Sequence, residues 1–117
     1  MNLNKVHIIY FIGIGGIGMS ALARYFVADN KKVSGYDRTS SLITNSLSEL
    51  GVNIHFEDNV KYIEVSFSNP EETLVVYTPA IPESNSELQY FRDNGFNILK
   101  RSEVLGLITQ DTFCLAV

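Results

Sequence analysis

The segment Gly13-Ile14-Gly15-Gly16-Ile17-Gly18 places four glycines directly behind an uncharged stretch of β-branched and aromatic residues and directly ahead of a run with helical spacing. A helix carried through them would lose roughly 1 kcal/mol at each relative to alanine, so the chain must turn there. From Val6 to Ala23 there is no Lys, Arg, Asp or Glu, and the run ends in Ala21-Leu22-Ala23, which imitates an export signal or a membrane span. Divided by its glycines it reads instead as strand, turn and helix. G-x-G-x-x-G in that context brings a diphosphate onto free helix-start amides. Gly13 permits the tight turn, Gly15 lets the backbone approach the anion without a Cβ, and Gly18 lets the helix lie close to the strand. The same glycines could also serve only to relieve crowding at the turn.

The rest of the chain repeats this alternation. Lys5 to Ile12 lacks polar alternation and predicts a strand buried on both faces. Gly18, Ala21, Leu22 and Tyr25 then share one helical face as far as Asp29-Asn30. Lys32 to Tyr36 predicts a second strand that delivers Asp37, and Ile43, Leu47 and Leu50 a second helix ended by Gly51. Val52 to Phe56 predicts a third strand, followed by an irregular stretch, Glu57 to Glu72, with room for a short helix around Val60 to Val65. Thr73 to Thr78 predicts a fourth strand. Ser84-Asn85-Ser86-Glu87 has capping-box spacing and starts a helix near Ser84 that turns Leu88 and Phe91 inward and stops at Gly95. Phe96 to Leu99, Ser102 to Ile108 and Thr112 to Val117 follow as strand, short helix and strand. The expected fold is α/β, a Rossmann-like parallel sheet of about five strands with helices on both faces, and 117 residues suffice for one such domain.

Sheets of this kind bind ligands beyond the carboxyl ends of their strands, where strand order reverses. The loops at Gly13 to Gly18, Tyr36 to Arg38, His55 and Thr78 to Pro82 should therefore share one edge. Asp37, about twenty residues past the glycine loop, stands where an acid can accept hydrogen bonds from ribose hydroxyls; a solvated turn residue is the other reading. Thr78-Pro79-Ala80-Ile81-Pro82 fixes two turns with its prolines, as a binding loop or as an ordinary connection. No nucleophile-base pair, paired carboxylates or G-x-x-x-x-G-K-[ST] loop is present, so the chain is expected to bind rather than catalyse.

Composition narrows the partners. Nine Lys and Arg against thirteen Asp and Glu, without a basic run, offer no footprint for a nucleic acid. Cys114 is the only cysteine, which excludes an intrachain disulfide and fits a reducing, cytoplasmic compartment. His7 and His55 lack the spacing of a metal pair, and no metal site is expected. These residues describe a binder of a diphosphate with an attached ribose, which NAD, FAD and nucleotide sugars all satisfy. An NAD(P)-binding Rossmann domain of a dehydrogenase or regulatory protein is the alternative reading.

Phe11-Ile12-Gly13-Ile14-Gly15-Gly16-Ile17-Gly18-Met19-Ser20-Ala21-Leu22-Ala23 resembles the opening of the Mur ligase family, in particular its UDP-N-acetylmuramate:L-alanine ligases of peptidoglycan biosynthesis. Gly35-Tyr36-Asp37, Gly51 with Ile54-His55, Thr78-Pro79-Ala80-Ile81 with Asn85-Ser86-Glu87-Leu88, and Arg101-Ser102-Glu103-Val104-Leu105 extend the likeness over most of the chain. The resemblance implies the first of three ligase domains, residues 1–117, which binds UDP-N-acetylmuramate. ATP and magnesium would belong to the remaining domains, because the family's Gly-Thr-His-Gly-Lys-Thr loop follows a strand that Phe113-Cys114-Leu115-Ala116-Val117 resembles. It further implies that the amides of Gly15, Gly16, Ile17, Gly18, Met19 and Ser20, with the Ser20 hydroxyl, hold the diphosphate. Asp37, with Arg38 beside it, would hold the ribose, and His55, Thr78, Pro79, Ala80 and Ile81 would line the uridine and sugar side. His55 could equally be a core residue.

Overall fold

β-Branched and aromatic side chains fit a pleated, buried surface, and the run ahead of the glycine loop extends accordingly. In the computed structural model, which describes residues 5–59, 63 and 70–111, with side chains as far as residue 108, it forms β1 (Ile8–Ile12). There follow α1 (Ile17–Ala28), β2 (Lys32–Tyr36), α2 (Leu42–Glu49), β3 (Asn53–His55), β4 (Thr73–Tyr77), α3 (Ser86–Asp93), β5 (Asn97–Lys100) and α4 (Arg101–Asp111). All strand pairs are parallel, in the order β3-β2-β1-β4-β5. The expected five-stranded α/β sheet is therefore present, and its strand order reverses between β1 and β4.

Register brings the loops together. Ile12 lies beside Tyr36 and Tyr77, Tyr36 beside His55, and Tyr77 beside Lys100. All five strands thus end at one edge, as their order in the sequence implied.

Alternation along the strands divides the core in two. Ile9, Phe11, Val33, Leu74 and Val76 meet Met19, Leu22, Ala23 and Phe26 of α1, Leu47 of α2 and Val104 of α4. Tyr10, Ile12, Tyr36 and Val75 meet Leu88 and Phe91 of α3 together with Phe96. Full burial of each large side chain contributes about 1.5 to 3 kcal/mol. A Cβ at Gly35 would stand 2.8 Å from the Phe11 carbonyl oxygen and 2.9 Å from Ile14 Cδ1, so the central strands approach this closely only because β2 carries glycine there.

Several sequence expectations are corrected. Gly18, Ala21, Leu22 and Tyr25 do share one face, which lines a groove with Arg101, Leu105 and Ile108 of α4, while the stripe buried against the sheet is Met19, Leu22, Ala23 and Phe26. Leu50 is the exposed C-cap of α2, one residue past the helix end. The cap of α3 is Asn85, whose side chain accepts from the Leu88 amide, not Ser84, and the reciprocal capping box lies at Ser41 and Thr44 of α2. β5 starts one residue late because the Phe96 amide donates to the Phe91 carbonyl at the end of α3. α4 starts at Arg101 because the Glu103 carboxylate accepts from the Lys100 amide. The helix expected around Val60 to Val65, apart from Ile63, and the strand expected over Thr112 to Val117 lie outside the described residues.

Candidate functional site

Beyond the carboxyl ends of β1, β2 and β4 lies a cleft of about 570 Å³. One wall is formed by Gly13, Gly16, Met19, Tyr36, Asp37 and Arg38, the other by Asp58, Thr78, Ala80, Ile81, Pro82, Ser84 and Asn85. It opens where the strand order reverses, the position at which chain ends splay apart in such sheets.

The first wall is mostly backbone. Gly13 has φ +93°, a conformation that side-chain-bearing residues rarely adopt, and its amide and that of Ile14 both donate to the Tyr36 carbonyl, at 2.7 and 3.0 Å. Gly15 N–H donates to Asp37 Oδ2 at 2.7 Å, and Asp37 Oδ1 accepts from the Thr39 amide at 3.0 Å. Gly15 and Asp37, expected to serve diphosphate and ribose separately, therefore hold one another here. A Cβ at Gly15 would lie 2.7 Å from Asp37 Oδ2 and 3.1 Å from Thr44 Cγ2, so glycine is required by this contact as well as by any anion.

Helix capping separates α1 from its neighbours. α2 and α3 have side-chain caps, and Glu103 covers the start of α4. α1 is capped by Gly16, without a side-chain hydrogen bond. Among the described residues the N-cap of α1, beside Gly16 and Met19 of the cleft, thus carries no side-chain cap, and the positive end of the helix dipole favours an anion there.

Not every expected residue reaches the cleft. Ile17 is 83% exposed and does not line it. Gly18 lies against Arg101, whose guanidinium would collide with an added Cβ, so its close contact is with α4 rather than with a strand. The Ser20 hydroxyl donates to the Ile17 carbonyl at 2.9 Å. Thr78, Ala80 and Ile81 line the cleft and Pro79 does not; the Ile81 and Asn85 amides close two successive turns, onto the Thr78 and Pro82 carbonyls.

The second wall is held by buried charge. Asp58 Oδ2 and Oδ1 accept from the Ser86 and Glu87 amides at 2.9 and 3.1 Å, adding a second cap to α3. The Glu87 carboxylate is fully buried. It accepts from the Tyr10 hydroxyl and from the Asn59 amide at 3.2 Å, and it lies 2.8 Å from His55 Nε2. Burial first, and then the Glu87 charge, push the Tyr10 hydroxyl far above its ordinary pKa. Burial likewise raises that of Tyr36, with Asp58, Glu87 and Asp37 adding to the effect. His55 thus sits behind the cleft rather than on its surface. Glu87 and Asp58 escaped the sequence reading because their partners come from other elements; the spacing of Glu87 after Ser84 pointed to a cap instead.

Comparison with known proteins decides the lineage. The family described as Mur ligase family, catalytic domain, matches residues 8–112. The chain belongs to the Mur ligase family. A UDP-N-acetylmuramate--L-alanine ligase of Flavobacterium psychrophilum is 59% identical to this Mur ligase chain over all of its 117 residues, which cover 26% of that relative. The ligase of the same name from Parabacteroides distasonis is 56% identical, again over the whole chain and 25% of the relative. The crystal structure of UDP-N-acetylmuramate-alanine ligase from Thermotoga maritima superposes with a TM-score of 0.78 at 28% identity, covering 88% of this chain and 23% of that one. The Mur ligase chain therefore spans about a quarter of the length of the curated relatives it matches.

Proposed function

We propose that this chain is the UDP-N-acetylmuramate-binding domain of a three-domain ligase that joins L-alanine to the lactyl carboxylate of that nucleotide sugar in peptidoglycan biosynthesis, in the cytoplasm. The observation that carries the reading is the side-chain-free start of α1, opening onto the cleft at the reversal of strand order. The diphosphate would accept from the first-turn amides, where backbone donors and the helix dipole favour an anion. Asp37 would turn from the Gly15 amide to the ribose hydroxyls, and Arg38 would supply the cation on that wall. Thr78, Ala80 and Ile81 would bound the uridine and sugar side.

In this reading the parent enzyme drives amide formation with ATP, through an acyl phosphate of the lactyl carboxylate. The residues present do not fit ATP and magnesium. Met19 follows the glycine loop where a Lys would be needed, although Ser20 matches the hydroxyl position after it, and the described residues hold no group of three or more His, Cys, Asp or Glu suited to a metal ion. The chemical step therefore belongs to other domains, and the chain alone should be inactive. Among the described residues no helix is long and apolar enough to cross a membrane.

Calorimetric titration of the chain with UDP-N-acetylmuramate and, separately, with NADH tests the reading. Heat from the nucleotide sugar alone is the expected result; saturation by NADH with no response to the nucleotide sugar overturns it in favour of a nicotinamide site.

A further inference from the structure

Asp58 and Glu87 lie 29 residues apart, yet each binds the backbone beside the other. The Asp58 carboxylate takes the Ser86 and Glu87 amides, the Ser86 hydroxyl donates to the Asp58 carbonyl at 3.3 Å, and the Glu87 carboxylate takes the Asn59 amide. The result is a reciprocal latch between the segment after β3 and the start of α3. Asp58 lines the cleft and Glu87 does not, being fully buried behind it.

We propose that Glu87 is a positioning residue for the nucleotide-sugar site: its buried carboxylate, joined to Tyr10, His55 and Asn59, fixes where Asp58 stands and so sets the width of the cleft. This deepens the function proposed above and rests on it. The partners come from three separate places, β1, β3 and the segment after β3, so the carboxylate ties the two sides of the second wall to the sheet. A buried carboxylate accepts only. An amide in its place would turn an N–H toward one of these partners, and the Asn59 N–H cannot answer by accepting. Turned that way it would release the Asn59 amide and leave the segment after β3 held to α3 by the Asp58 and Ser86 contacts alone, so that Asp58 gains freedom of position.

The test uses Glu87→Gln and Glu87→Asp, the second keeping the charge but withdrawing the carboxylate by one methylene. Circular dichroism and thermal melting select a temperature at which each variant is folded. At that temperature affinity for UDP-N-acetylmuramate is measured by calorimetry and exchange of the Asn59, Ser86 and Glu87 amides by NMR. The expected result is an affinity about tenfold weaker, with faster exchange confined to those amides. Unchanged affinity in either folded variant overturns the proposal, as does slow, wild-type exchange at Asn59. If the unsubstituted chain fails to bind the nucleotide sugar, the functional reading falls, while the exchange measurement still decides whether Glu87 holds the latch. If Glu87→Gln does not fold, Glu87→Asp carries the same comparison.

Discussion

The two walls of the cleft are built in opposite ways. The glycine-loop wall presents mostly backbone, and the hydrogen bond that closes it, from Gly15 to Asp37, spans 22 residues between ends that follow adjacent parallel strands. The α3 wall depends on side chains drawn from 32 to 77 residues apart, Tyr10, His55 and Glu87, around one buried carboxylate. A surface of amides can thus be specified by a short motif, whereas a wall held by charge requires the whole sheet in register. Substitutions should reflect this, changing mainly ligand binding at the first wall and stability together with binding at the second.

Glu87→Ala should have the largest effect, because it removes the buried carboxylate on which the Tyr10 hydroxyl, the Asn59 amide and His55 converge. Breaking such a network costs about 3 kcal/mol, read from the urea midpoint; a loss well under about 1 kcal/mol would put the two walls on the same footing. Gly15→Val comes next. Its Cβ must displace Asp37 and crowd Thr44, at a cost of about 1 to 3 kcal/mol, with nucleotide-sugar binding abolished in calorimetry. A variant that kept both stability and affinity would remove the glycine loop from the site.

Tyr10→Phe should cost about 1 kcal/mol at neutral pH and also change the alkaline response. The Tyr10 pKa in the folded chain stands above the ordinary value of about 10. The unfolded chain therefore loses the proton first, and the Tyr10 contribution to stability, complete below about pH 10, declines as pH rises beyond it. Urea unfolding at successive pH values should show this slope in the natural chain and a smaller one in the variant. Equal slopes would mean that Tyr10 is free to ionise when folded. Asp37→Asn should change stability least, within about 0.5 kcal/mol, since an amide oxygen can still accept from Gly15 and the Thr39 bond it gives up is solvent-exposed. Affinity for UDP-N-acetylmuramate should fall by about 1 kcal/mol; an effect on stability alone would make Asp37 a turn cap.

Much of the first wall was legible beforehand. Gly13 to Gly18 after an apolar run gave the strand, turn and helix, and Asp37 at the end of the next apolar stretch fell beside them. The reading failed where one local pattern had two physical outcomes. Ser84 to Glu87 matches a capping box, but Asp58 already takes the amides at the start of α3, leaving Glu87 to turn inward. Gly18, Ala21, Leu22 and Tyr25 do share a helical face, but which neighbour it meets was open: it lines the groove with α4, while Met19, Leu22 and Phe26 are buried against the sheet. His55 was read as either ligand or core, and its place between Tyr10 and Glu87 puts it behind the cleft.

By itself the sequence determined the alternation of strands and helices, the turn after β1 and the edge at which the loops meet. Those features follow from side-chain periodicity, glycine and proline dihedrals and the direction of parallel strands, all of which act between near neighbours. Only the tertiary structure decided that Gly15 and Asp37 occupy one another, that Asp58 and Glu87 interlock, and that Tyr10 is held neutral beside a buried carboxylate. Each of these needs groups far apart in the chain to meet away from water, where an unpaired charge is costly, and strand register, which no local pattern encodes, brings them there.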